Sequence, residues 1–258
     1  MKIGFIGAGN MAGAIIKGAL NSGYDANDLF AFDIDRKKID DLGINACNSA
    51  YELVEKCDLT FFAVKPYIIE SVLEQIKGIS ANKAFVSIVA AWSTEKLLGF
   101  LPEARILRVM PNTPLMVGEG AVALSAQNNL TEEELAFVEK FLSSQGFVFT
   151  VKEDLMNAVT GLSGSGPAYV YVFIEALADA GVMQGLPRDL AYKLAAQTVK
   201  GAAEMVLKTG EHPGALKDAV TSPAGTTICG IFELEKAGFR AAAIKAVNAS
   251  ADKSRELS

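Results

Sequence analysis

The sequence predicts an α/β Rossmann domain with a mostly parallel sheet, followed by an all-α helical C-terminal domain. Three observations predict it. Short β-branched and aromatic runs alternate with amphipathic stretches over the first 150 residues. A glycine-rich turn stands at the first strand–helix junction. After about Lys152 the strand patterns almost vanish, and Ala, Leu, Lys and Glu recur at helical spacing. The expected division is therefore 1–152 and 153–258, with no Pro/Ser-rich linker between the halves.

The strand candidates, in order, are Lys2–Ile6, Leu29–Phe32, Leu59–Val64, Ala84–Val89, Ile106–Met110 and Phe147–Val151. Between them lie the helical stretches Met11–Asn21, Ile68–Ile76 and Thr94–Phe100. Thr131 opens a further helix, and Glu134 three residues on completes a capping box. In the second half the helical patterns are Tyr169–Ala180, Arg188–Lys208, Thr226–Ala237 and Arg240–Glu256. The stretch holding Val170, Phe173, Ile174, Leu177 and Ala178 is apolar around most of its circumference, where a surface helix carries one apolar stripe. A small helical domain has little interior to hide it, so burial against a second subunit is expected; a central core helix is the alternative.

Bulk properties exclude several function classes. Of 258 residues half are hydrophobic and 21% charged, the balance of a folded globular chain. A net charge of −6 offers no cationic field for nucleic acid or anionic membrane. No cleavable leader is expected ahead of Ile3-Gly4-Phe5-Ile6. The long uncharged run Leu155–Ile174 is interrupted by Gly161, Gly164, Gly166 and Pro167, so each apolar half is too short to cross a bilayer. Cys47, Cys57 and Cys229 are scattered and odd in number, which fits buried thiols in a reducing cytoplasm. With one histidine, His212, in a Glu-His-Pro turn of structural character, no metal site is expected.

The turn Gly7-Ala8-Gly9-Asn10-Met11-Ala12 follows Ile6 directly and opens a helix. Gly7 permits the tight turn, Gly9 lets backbone approach a pyrophosphate, and Ala12 still allows close helix–strand packing. Phosphates would meet free N–H groups and the positive end of the helix dipole. At the end of the second strand Asp33 is placed to bond a ribose 2′-hydroxyl, favouring NADH, while Arg36 and Lys37 could hold the 2′-phosphate of NADPH. The two signals leave the choice open.

Several further stretches resemble the pyrroline-5-carboxylate reductase family, in order and over essentially the whole chain. They are Ala63-Val64-Lys65-Pro66, Arg108-Val109-Met110-Pro111-Asn112-Thr113-Pro114, Gly164-Ser165-Gly166-Pro167-Ala168-Tyr169, Thr209-Gly210-Glu211-His212-Pro213-Gly214 and Ser222-Pro223-Ala224-Gly225-Thr226-Thr227. The resemblance implies reduction of the ring C=N bond of 1-pyrroline-5-carboxylate to L-proline with NADPH or NADH. It also implies a homodimer or higher homo-oligomer paired through the helical domain, with the active site between nucleotide and helical domains. Residues Ala63–Pro66, together with Ala90 and Asn112, are then expected to line the cofactor. The loop ending in Gly225, Thr226 and Thr227 would receive the substrate carboxylate, with Thr227 as its central residue and Ser165 as a weaker contact. Two departures stand out: Ala224 and Ala91 occupy positions where the family usually has glycine.

Such chemistry needs a hydride donor and an orienting device more than an acid, because the iminium form is already electrophilic. Carboxylate capture has a clear correlate in Ser222–Thr227 ahead of the helical stretch Ile228–Ala237: N–H groups and two hydroxyls bind an anion without a basic side chain. Taken alone, that pattern also describes an ordinary Thr-capped helix. A rival two-domain reductase, the β-hydroxyacid dehydrogenase type, shares the opening turn and carries a later catalytic lysine; here that slot is Val170, which cannot exchange a proton. A non-catalytic NAD(P)-sensing protein is the other alternative.

Overall fold

The computed structural model describes residues 1–257. Its Cα trace separates into two compact units, Met1–Ser165 together with the C-terminal residues from Ala249, and Gly166–Asn248.

The first unit is built on one sheet of eight strands: β1 (Ile3–Ile6), β2 (Leu29–Phe32), β3 (Asn45–Ala46), β4 (Leu59–Phe62), β5 (Ala84–Ser87), β6 (Arg105–Met110), β7 (Gly120–Ser125) and β8 (Gly146–Val151). Their spatial order is β3-β2-β1-β4-β5-β6-β7-β8. The first six run parallel; β7 turns antiparallel to β6, and β8 pairs parallel with β7. Helices α1 (Asn10–Asn21), α2 (Arg36–Asp40), α3 (Ala50–Lys56), α4 (Ile69–Ile76), α5 (Thr94–Phe100) and α6 (Glu132–Ser143) connect the strands. Alternation along β1 divides the core. Ile3 and Phe5 join Phe61, Val86 and α1's Ile15 and Ile16 on one face. Ile6 joins Phe62, Phe85, Leu53, Leu73 and Leu97 on the other. Phenylalanine pairs stack at 4.8 Å on each face, Phe5 on Phe61 and Phe62 on Phe85. Burial of such side chains stabilises by about 1.5–3 kcal/mol each.

Sequence reading overlooks β3, β7, α2 and α3. β3 is two residues long, and β7 reads Gly-Ala-Val-Ala-Leu-Ser, too poor in β-branched residues to signal a strand. α3 did carry a signal: Ser49 caps it by accepting from Glu52 N–H, and Glu52 accepts in return from Asn48 N–H. The capping box of α6 at Thr131 and Glu134 forms as expected.

Beyond β8 the chain is helical: α7 (Met156–Val159), a π turn at Thr160–Gly164, α8 (Gly166–Met183), α9 (Arg188–Thr209), α10 (Pro213–Ala219), α11 (Thr226–Lys236) and α12 (Phe239–Leu257). The glycines and Pro167 were expected to interrupt the apolar run near 161–167. The chain there widens into one π turn, closed by Ser165 N–H donating to Thr160 O at 2.9 Å, bends at Ser165 and re-enters a helix at Gly166. In the second unit α8 packs on α9 through Ala178, Ala191 and Ala195, with Ile174 and Val182 beside them. Phe173 rests against Phe239, ring centroids 5.5 Å apart. Val170, Tyr171, Val172 and Leu177 stay exposed, so α8 is not a central core helix of this unit.

Candidate active site

The strand order reverses at β1, where β2 leads away on one side and β4 on the other. In open α/β sheets ligands settle at this switch point, beyond the carboxyl ends of the strands. The turn Gly7–Met11 sits there. Gly7 adopts φ +97°, and its N–H donates to Phe32 O at 2.7 Å. A methyl group on Gly7 would stand 2.6 Å from Ala63 O, so the turn and the Ala63–Pro66 segment touch at backbone level. Gly9 is the opposite case: a methyl there would meet no atom within 4 Å. Gly9 is also the N-cap of α1 and supplies no side-chain acceptor to the first-turn N–H groups. Open space above free donors at a helix N-terminus fits a dinucleotide pyrophosphate.

Ile6 and Ala8 are buried, while Asn10, Lys65 and Arg36 are exposed at this edge; Val64, Pro66 and Ala90 are half-buried. Asp33 turns inward. Its Oδ2 accepts from Ala8 N–H at 2.8 Å, and its Oδ1 accepts from Asp35 N–H at 2.9 Å and from Lys38 Nζ at 3.4 Å. Burial pushes its pKa up, but those donors outweigh burial and hold the carboxyl below its usual range. The carboxylate thus braces the glycine turn, a role that sequence reading missed because Ala8 is remote in sequence. Arg36 pairs with Asp40 at 3.2 Å on the surface. Asn112, expected to line the cofactor, has its amide buried and bonded to Ala121 and Ser163.

In the second unit the threonines are not caps. α11 begins at Thr226, so Thr226 and Thr227 occupy its first turn, and Gly225 is the N-cap with no side-chain cap bond. The Gly225 N–H donates to Ser222 O at 3.1 Å, and both threonines are exposed. The first-turn donors therefore lack a local side-chain acceptor, as an anion site requires. His212 caps α10, its Nδ1 accepting from Gly214 N–H at 3.0 Å, a structural use. In the first unit Ser165 Oγ shares a hydrogen bond of 2.8 Å with Ser250 Oγ.

Ala91 and Ala224, the two departures noted in the sequence, both hold left-handed backbone, at φ +65° and φ +58°. A Cβ in that region costs roughly 1–2 kcal/mol. Ala224 is exposed, so Ala224→Gly is expected to stabilise the chain by about 1 kcal/mol after the greater unfolded-state entropy of glycine is deducted. The midpoint of thermal unfolding should then rise by roughly 2–4 °C. A lower midpoint would show that contacts of the methyl group outweigh the backbone strain.

A sequence profile of pyrroline-5-carboxylate reductase dimerisation matches residues 153–257. Another, described as NADP oxidoreductase, coenzyme F420-dependent, matches residues 2–91. The pyrroline-5-carboxylate reductase of Arabidopsis thaliana is 46% identical over 263 residues, spanning 100% of this chain and 95% of the plant protein. The chain belongs to the pyrroline-5-carboxylate reductase family. The family member of Escherichia coli K12 is 44% identical over 264 residues, covering 100% and 98% of the two chains. Among solved structures, that of Plasmodium falciparum pyrroline carboxylate reductase with NADP bound superposes with a TM-score of 0.94 at 38% identity, covering 100% and 98%.

Proposed function

We propose that the chain reduces the C=N bond of 1-pyrroline-5-carboxylate to L-proline, the last step of proline biosynthesis, using NADPH or NADH. The observation that carries this reading is the open, donor-lined glycine turn at the switch point of a chain that belongs to this family throughout its length. Residues 1–152 act as the nucleotide domain and 153–258 as the substrate and dimerisation domain.

Bound NADPH or NADH supplies the hydride. Ile6–Met11 would hold the pyrophosphate, with Asp33 stiffening the turn from beneath. Ala63–Pro66 and Ala90 would line the cofactor, and Arg36 would meet the 2′-phosphate of NADPH. The substrate carboxylate rests on Gly225, Thr226 and Thr227, with Ser165 as a further contact. Hydride and its electron pair go to the ring carbon of the C=N bond, and the iminium proton stays on nitrogen. Orientation, rather than a side-chain acid, is what these residues contribute. The deciding experiment is consumption of NADPH or NADH by the purified protein when, and only when, the cyclic imino acid is added. Folded protein inert with both cofactors would overturn the reading.

The working form is a homodimer or higher homo-oligomer in the cytoplasm, with no nucleic-acid or membrane partner. Cytoplasmic location is supported by the unpaired thiols, of which Cys47 and Cys57 are buried as expected while Cys229 is exposed; burial pushes Cys57 up to about 12, which keeps it inert. Among the described residues no helix is long and apolar enough to cross a membrane. Assembly is supported by the exposed apolar residues of α8. Phe173 packs within its own unit against Phe239, so Val172, 66% exposed, is the better probe of the interface. Val172→Asp is expected to yield monomers by sedimentation, since an unpaired charge buried at an interface costs several kcal/mol. Unchanged assembly would place the interface elsewhere.

A further inference from the structure

Ser163 lies in the π turn Thr160–Gly164, and α8 begins at Gly166, so Pro167 falls in the first turn of α8, where its lack of an N–H breaks no intrahelical bond. What holds the π turn comes from another element. Asn112, two residues past β6 and 8% exposed, points Nδ2 at Ser163 O (3.3 Å) and Ser163 Oγ (3.4 Å). Its Oδ1 accepts from Ala121 N–H at 2.8 Å, so the amide is held at both ends. The bond to Ser163 lies inside the π turn, whose closing residue is Ser165.

We propose that Asn112 is a positioning residue for the substrate side of the active site rather than a cofactor contact: its amide bonds both the carbonyl and the hydroxyl of Ser163, fixes the π turn and thereby sets the Ser165 hydroxyl. The proposal rests on the reading of Ser165 as a substrate contact. Its logic is local. π turns carry one residue more than the helix around them and shift the side chains that follow, so a turn without its stabilising bond relaxes and moves Ser165.

Asn112→Asp tests this, because it keeps an acceptor for Ala121 and removes the donor to Ser163. KM for the cyclic imino acid should rise about tenfold, while the Kd of NADPH, read by fluorescence without substrate, stays unchanged. Ser163→Ala removes one of the two partners of the Asn112 amide and should raise KM in the same direction by a smaller factor, which keeps the test open if Asn112→Asp fails to fold. A parallel rise in NADPH Kd, or an unchanged KM in both variants, overturns the proposal. Ser165→Ala, measured beside them, separates the two readings. Normal KM in that variant sinks Ser165 as a substrate contact and with it the catalytic half of the proposal, whereas a lower melting temperature of Asn112→Asp still reports the bond itself.

Discussion

Gly7→Ala is expected to lower the midpoint of thermal unfolding by roughly 5–15 °C and to abolish measurable binding of NADPH. Two costs act together. The residue holds φ +97°, and the new methyl would lie 2.6 Å from the carbonyl oxygen of Ala63. Left-handed backbone costs about 1–2 kcal/mol and overpacking about 1–3, at roughly 2–4 °C per kcal/mol for a chain of this size. Backbone cannot yield as a flexible side chain can, so the turn and the Ala63–Pro66 segment must separate. Gly9→Ala is the internal control. Its methyl meets nothing within 4 Å and its φ of −75° suits alanine, so stability should hold. NADPH affinity should still fall, because the methyl projects where the pyrophosphate approaches. Calorimetry and a fluorescence titration check both. Equal melting of Gly7→Ala and the parent would remove the close contact from the account, and normal NADPH affinity in Gly9→Ala would remove the pyrophosphate from that position.

The second large effect concerns the substrate. Thr227→Val preserves shape and deletes one hydroxyl donor in the first turn of α11. The carboxylate then loses a charge-assisted bond worth about 1.5–3 kcal/mol, a fall of roughly ten- to a hundredfold in kcat/KM for the imino acid. NADPH affinity without substrate should not move. Because Gly225 caps the helix, Thr227 is not needed to start it, and the midpoint of unfolding should also stay put. That separates a substrate contact from a capping residue, whose loss costs about 1 kcal/mol of stability. Retention of full kcat/KM, or equal loss of cofactor binding, would rule the loop out as the carboxylate site.

Much of the fold was legible because its signals are local. The buried parallel strands read as continuous apolar runs, the first glycine turn lies at a strand–helix junction, and Thr131 with Glu134 announces its helix. The failures arose where remote segments decide. β7 is built of small residues and becomes a strand only because β6 and β8 flank it. At Gly161–Pro167 the sequence marks an interruption and the helix does change there, through a π turn and a bend at Ser165; what no local signal announced is the bond that Asn112 makes to Ser163 from 51 residues away.

The same division holds for the site. The residue pattern by itself marked the glycine turn, and the family resemblance singled out the threonine loop, because phosphate and carboxylate recognition rests on backbone donors whose placement short motifs dictate. Only the tertiary structure decided what Asp33 and Asn112 do. Both are polar side chains that sequence reading assigned to the cofactor, and both are turned inward, Asp33 to Ala8 and Asn112 to Ser163 and Ala121. Whether a polar group faces a ligand or satisfies the backbone depends on which buried N–H or C=O lies unpaired nearby, and that is settled when remote segments pack.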